Sequence, residues 1–190
     1  MDLVEHNLQK RAVIEDALLQ LMQETDYSRI TVTDLAQHVG ISRKSFYHYF
    51  QDKDACLLSL ISRTMTENAL YIAELLPDTE SYLSFYKTAL LCWKEKKDFL
   101  LAIIRSNLYH AFLYQTVKYI CQEHKGVLKQ LRTPLDDLEE GYEEVLFYAS
   151  GYLSVLCNWA LNGFETDVEV LARKMLRLAH MPLFPLESRE

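Results

Sequence analysis

Arg43, Lys44, Ser45, Tyr47 and His48 fill five of six consecutive positions with polar or charged side chains, interrupted only by Phe46. In that arrangement the groups donate hydrogen bonds rather than perform covalent chemistry. Arg43 and Lys44 can donate to O6 and N7 of guanine, the commonest base-specific contact in the DNA major groove. A good bidentate pair there is worth about 1 to 3 kcal/mol of discrimination. Tyr47 and His48 can hydrogen-bond phosphates, which fix register rather than sequence. Lys53 falls in the first turn of a following helix, where unpaired backbone N–H groups already attract an anion.

These side chains need two short helices to present them. Thr31 is placed to N-cap the first, with Asp34 three residues on where a capping-box acid sits, and Leu35, Ala36 and Val39 recur at helical spacing. Gly40 suits the left-handed position just past that helix. Ile41 plugs the turn, and Ser42 caps a second helix that turns Arg43, Lys44, Ser45, Tyr47 and His48 outward while Phe46 and Phe50 face a core. This is the layout of a helix-turn-helix, whose second helix enters the major groove.

The 190 residues are 49% hydrophobic, enough for a sizeable core and one or two domains. No N-terminal apolar run with a cleavage site and no long apolar stretch occurs, which reads as a cytoplasmic, soluble protein with no membrane partner. Cys56, Cys92, Cys121 and Cys157 are widely spaced among apolar neighbours and read as buried free thiols. The formal charge of −7 excludes a chain coated with basic residues for indiscriminate nucleic-acid binding. Residues 1–60 hold six Lys and Arg against nine Asp and Glu, so positive charge must be concentrated on one face and affinity must depend on a well-matched site.

Along the chain the spacing predicts a first amphipathic helix from Leu8 to about Glu24, the two short helices, and a long fourth helix capped by Asp52, starting at Lys53 and stopped by Pro77. A fifth spans Ser81 to Glu95. A sixth, capped by Asp98, carries Leu101, Ile104, Arg105 and Leu108. Helical spacing continues from His110 to Leu131 with an irregularity at Gly126. Thr133 and Pro134 open an eighth helix that ends at Gly163, and Thr166 with Asp167 opens a ninth that ends before Pro182. No strand period is present. The expected fold is all-α, about nine helices: a three-helix DNA-binding head over residues 1–52 and a helical ligand-binding and dimerisation body over 53–190.

The run from Ile30 to Ala36, then Val39 to Ser42, Phe46 to Phe50, and Asp52-Lys53 resembles the signature of the TetR family of bacterial transcriptional regulators. Gly151-Tyr152-Leu153 followed by Cys157 to Phe164 resembles the tail of a subgroup that includes regulators related to dihydroxyacetone kinase operons. The resemblance implies a homodimer on a palindromic operator, usually a repressor released by a small-molecule effector bound in the C-terminal domain. It also implies DNA contacts from Thr31, Thr33, Ser42, Arg43, Lys44, Ser45, Tyr47, His48 and Lys53, with Thr33 making a further groove contact. Gln51 stands where many members carry lysine, which removes one expected phosphate contact.

The body is rich in side chains with an apolar surface and a polar tip, and such groups suit a pocket of mixed polarity or an ordinary core. Tyr86, Trp93, Tyr109, Tyr148 and Tyr152 are the expected pocket lining, and the lack of a basic cluster among them argues against a highly anionic effector. The eighth and ninth helices are expected to dimerise. Ala149, Ser150 and Gly151 would allow close approach, and Leu153, Leu156, Ala160, Leu171, Met175 and Leu178 would supply apolar surface either to that interface or to the core. An activator, or a regulator whose co-effector is a protein, is the rival on the same fold. No enzyme, cofactor or metal is expected: no nucleophile elbow or phosphate loop occurs, and Cys121 with His124 is only a two-ligand fragment.

Overall fold

The computed structural model describes residues 3–75, 81–123 and 142–180. Among them are nine α-helices and no strand: α1 (Leu3–Glu24), α2 (Val32–Val39), α3 (Arg43–Tyr49), α4 (Lys53–Leu75), α5 (Tyr82–Glu95), α6 (Lys97–Arg105), α7 (Tyr109–Lys118), α8 (Tyr142–Leu161) and α9 (Val168–His180). A 3-10 turn over Tyr27–Arg29 precedes α2, and a π-helical turn over Tyr119–Glu123 prolongs α7. The expected Pro77 and Pro182 stops, the Gly126 irregularity, the Thr133 cap and His124 lie outside the described residues.

The helix ends follow their capping chemistry. Thr31 and Asp34 form a reciprocal capping box, and Gly40 closes α2 at φ +73°, the left-handed region open to glycine. Asp52 Oδ1 accepts the Ala55 amide at 2.7 Å to start α4. Asp167 Oδ1 accepts the amides of Glu169 and Val170 at 2.9 and 3.1 Å to start α9. Gly163 ends α8 at φ +65°, and Phe164 continues in the left-handed region at φ +58°. That strain is offset locally: the Phe164 ring meets Trp159 edge-on at 4.8 Å, and the Trp159 indole donates to the Thr166 carbonyl at 3.0 Å.

Three boundaries differ from expectation. Helix α1 begins at Leu3 rather than Leu8, and Leu8 is exposed. Helix α6 starts at Lys97, before Asp98, and ends at Arg105 because Asn107 takes φ +55° and turns the chain into α7. The buried face of α6 is Phe99, Leu100, Ala102 and Ile103 rather than Leu101, Ile104 and Leu108.

The chain packs as two compact units. The first comprises Met1–Glu67 and Lys97–Tyr119. There α1 packs on α2, α3 and α6, with Ile14, Leu18, Leu35, Phe46, Leu60 and Ile61 all but fully buried. Phe99 of α6 meets Phe112 of α7 edge-on at 5.6 Å. Buried Gln115 donates to Ser62 Oγ at 2.6 Å, which ties α7 to the first half of α4. The second unit comprises Asn68–Lys96 and Ile120–Glu190. Its main contact is α5 against α9, clasped by Lys87, which donates to Glu169 at 2.7 Å; Glu169 also accepts Arg173. Ile72 of α4 packs with Ala89 and Cys92 of α5.

Candidate DNA interface and buried tyrosine cluster

Helix α3 is oriented by its apolar side. Phe46 is fully buried and Phe50 nearly so, which turns Arg43, Lys44, Tyr47 and His48 to solvent. Among the described residues, no ion pair or side-chain hydrogen bond occupies Arg43 or Lys44, so their donors are available to a ligand. Ser42 Oγ accepts the Ser45 amide at 3.0 Å, and the two hydroxyls lie 2.9 Å apart, so both serines hold the start of α3. Thr31 is likewise engaged: its backbone N–H and its hydroxyl both donate to Asp34 Oδ2, at 2.8 and 2.7 Å. Those bonds hold the Asp34 carboxyl below its ordinary value. Thr33 is exposed on the first turn of α2. Tyr47 meets Phe46 edge-on, and His48 meets Tyr49 in the same manner.

Lys53 has a role inside the head that its sequence position did not reveal. Its ammonium donates to the carbonyls of Tyr27 and Ile30 at 2.6 and 2.8 Å and lies 4.0 Å from the Tyr27 ring centroid. Burial lowers its pKa. Two of its three N–H donors therefore bind the 3-10 turn, and Tyr27 in turn donates its hydroxyl to Asp54.

Arg11 is a positioning residue absent from the expected set. Its guanidinium donates to the carbonyl of Tyr49, the last residue of α3, and to Ser59 Oγ at 3.0 Å, while stacking 4.2 Å from the Phe50 ring centroid. The Ser59 hydroxyl donates to Glu15 at 2.6 Å, and Glu15, only 2% exposed, also accepts Arg63. Arg63 pairs further with Asp16 and Glu67. A continuous polar chain thus joins α4, α1 and the C-terminal end of α3. In sequence Arg11 is simply a cation on an amphipathic helix; nothing local marks it.

In the second unit the structure brings together four of the five expected pocket residues. The rings of Tyr86 and Tyr152 lie 6.4 Å apart. The Tyr86 hydroxyl is pushed up to about 12, first by burial and then by nearby Tyr148. Burial raises Tyr152 further, with Tyr86 and Cys92 adding to it, and the Trp93 indole offers its oxygen a weak hydrogen bond. Tyr148 makes a long 3.5 Å bond to the Ala179 carbonyl. Tyr109 belongs to the first unit, where its ring meets His110, and is not in this cluster. Burial also raises the thiols of Cys56, Cys92 and Cys157, to about 12, 11 and 11, which favours the neutral form over the nucleophilic thiolate.

The expected dimer residues divide. Ala149, Leu153, Leu156 and Ala160 of α8 and Leu171 and Met175 of α9 are buried within the unit and form its core. Gly151 and Leu178 are exposed, and so are Phe147, Ser154, Asn158 and Leu161, which recur with Gly151 at heptad spacing down one side of α8. Among the described residues no group of three metal-ligating side chains is present, and no helix is long and apolar enough to cross a membrane.

A buried-spined helix-turn-helix on an all-helical chain defines a DNA-binding regulator by fold and site. Residues 14–60 match the family described as bacterial regulatory proteins, tetR family, and residues 80–181 match a transcriptional regulator C-terminal region. The chain belongs to the TetR family of bacterial transcriptional regulators and is not an enzyme. It is 35% identical over 108 residues, 54% of each chain, to the dhaKLM operon transcriptional activator DhaS of Lactococcus lactis. It is 44% identical over 52 residues to the transcriptional regulator EthR of Mycolicibacterium smegmatis, 27% of this chain and 24% of that protein. These alignments thus span about a quarter to a half of the curated relatives' lengths. In fold it is similar to a TetR transcriptional regulator from Streptococcus agalactiae, with a TM-score of 0.62 at 20% identity over 92% of this chain and 96% of that one.

Proposed function

We propose that the protein is a homodimeric repressor that acts in the cytoplasm, binds a palindromic operator through residues 1–52, and is released by a small molecule held in the body, residues 53–190. The observation that carries the DNA-binding half is α3 itself: Arg43 and Lys44 stand exposed and unengaged on a helix fixed by buried Phe46 and Phe50. Arg43 and Lys44 read bases; Thr33, Tyr47 and His48 add groove and phosphate contacts; Thr31, Ser42 and Ser45 support the reading through the helix starts they hold. Lys53 contributes positive charge near the backbone while strapping the turn. The buried tyrosine cluster supports an effector in the second unit, and the heptad stripe from Phe147 to Leu161 supports dimerisation through α8 and α9. Two recognition helices so joined would meet half-sites about 34 to 36 Å apart.

The test is selection of binding sequences from randomised duplex DNA by the intact chain. A palindrome with half-sites one helical turn apart, bound by a dimer, is expected; an asymmetric or featureless selection would overturn the reading. Activation is the second reading, favoured by the similarity to DhaS, which extends well beyond the helix-turn-helix. Transcription in vitro from a promoter carrying the selected operator separates the two by the sign of the effect.

A further inference from the structure

Asn68 is 5% exposed, and among the described residues its Nδ2 has no hydrogen-bond partner. The buried Tyr152 oxygen takes a hydrogen bond from the Trp93 indole, and its own O–H has no acceptor among the described residues. Both belong to the second unit. Asn68 lies one helical turn before Ile72 on the buried side of α4, Ile72 packs on Ala89 and Cys92 of α5, and the Tyr152 ring of α8 lies 6.4 Å from that of Tyr86, also on α5. The two polar groups therefore neighbour the same buried stretch of α5, Tyr86 to Trp93. Buried donors are almost always paired, and one left unmet destabilises the free protein more than an apolar side chain of the same shape would.

Both lysines of α5 already have partners. Lys87 is bound to Glu169, which also takes Arg173, and Lys94 is exposed and lies 5.9 Å from the Trp159 ring centroid. A carboxylate or ammonium brought to buried Asn68 and Tyr152 would be stripped of water, and these engaged side chains offer it no free counter-ion. We infer that Asn68 and Tyr152 hold an uncharged ligand with an apolar body and a carbonyl or hydroxyl oxygen, Asn68 donating to that oxygen. This rests on the proposed effector-binding role of the body and narrows its ligand to a chemical class.

The experiment uses the full chain and matched sets of probes: octan-2-one, octanoate and octylamine, and 4-phenylbutan-2-one with 3-phenylpropanoate and 3-phenylpropylamine. Thermal unfolding and calorimetric titration should show binding by a ketone and none by its carboxylate or amine counterpart. Asn68→Leu and Tyr152→Phe should each weaken the ketone roughly tenfold, and Asn68→Leu without ligand should unfold at the same temperature or higher. Failure of both ketones to bind, tighter binding of a carboxylate or amine, or a lower midpoint for Asn68→Leu would overturn the inference. Operator affinity keeps the two readings apart. A ketone that binds through Asn68 yet leaves operator affinity unchanged upholds the ligand class and overturns release. Release by a charged molecule does the reverse.

Discussion

Replacing Arg11 by alanine should lower both stability and DNA affinity, although Arg11 is not expected to touch DNA. The substitution removes a charged donor from the Tyr49 carbonyl, a second from Ser59, and the cation stacked on Phe50. Hydrogen bonds to charged groups contribute about 1.5 to 3 kcal/mol each, and a partly exposed cation–π contact about 0.5 to 1 kcal/mol. Arg11 is half-buried, and Ser59 and Glu15 keep each other and Arg63 after the change, so the loss should fall below the sum of those contributions, at roughly 2 kcal/mol. Urea unfolding of the intact chain measures that loss directly. Anisotropy with labelled operator, run well below the unfolding midpoint, should then show weaker binding to all sequences, because the end of α3 is loosened while its base-reading residues are intact. Arg11→Lys, which keeps a charge but not the fork, should lie between. A midpoint and an affinity both equal to wild type would refute the idea that this polar chain positions α3.

Three other perturbations follow from the geometry. Lys53→Met should destabilise the head by about 1 to 3 kcal/mol, since Nζ bonds two carbonyls, and should lower the salt slope of operator binding by about one per lost phosphate contact; unchanged urea unfolding would contradict the strap. The Glu169 carboxyl is held down to about 2 by hydrogen bonds from Lys87 and Arg173. Its folded value lies below its unfolded value near 4.5, so its contribution is present above that value and is lost as pH falls through about 2. The Glu169→Gln variant should therefore show a shallower loss of unfolding midpoint between pH 5 and pH 2, and a parallel profile would contradict the clasp. Phe147→Glu, on the exposed stripe of α8, should shift the protein to monomer in light scattering and leave its helical content unchanged; an undisturbed dimer would place the interface elsewhere.

What could be read from the sequence was chiefly what is local. Thr31 with Asp34, Gly40, Ser42, Asp52, Gly163 and Asp167 act within three or four residues of themselves, and each caps or ends the helix its type suggested. The burial of Phe46 and Phe50, and with it the outward face of α3, was legible for the same reason. Faces of nearly all-apolar segments were not. In α6 every residue from Phe99 to Ile104 is apolar, so periodicity could not choose between Leu101 and Ile104 and the observed Phe99, Leu100 and Ile103. In α8 the same ambiguity concealed that Leu153, Leu156 and Ala160 are core while Phe147 and Leu161 face outward. Arg11 and the strap by Lys53 depend on partners 38 and 26 residues away in the chain, and no local pattern encodes them.

The central claim is that α3 reads DNA through Arg43 and Lys44. Its most direct test is the affinity of Arg43→Ala for the selected operator and for operators changed at single base pairs, beside the urea midpoint of the same variant. A lost bidentate contact should weaken binding by about 1 to 3 kcal/mol per half-site and relax preference at one base pair in each, with the midpoint unmoved because Arg43 is exposed and bonds to none of the described residues. Binding to the selected operator that matches wild type in affinity and base preference would contradict the claim.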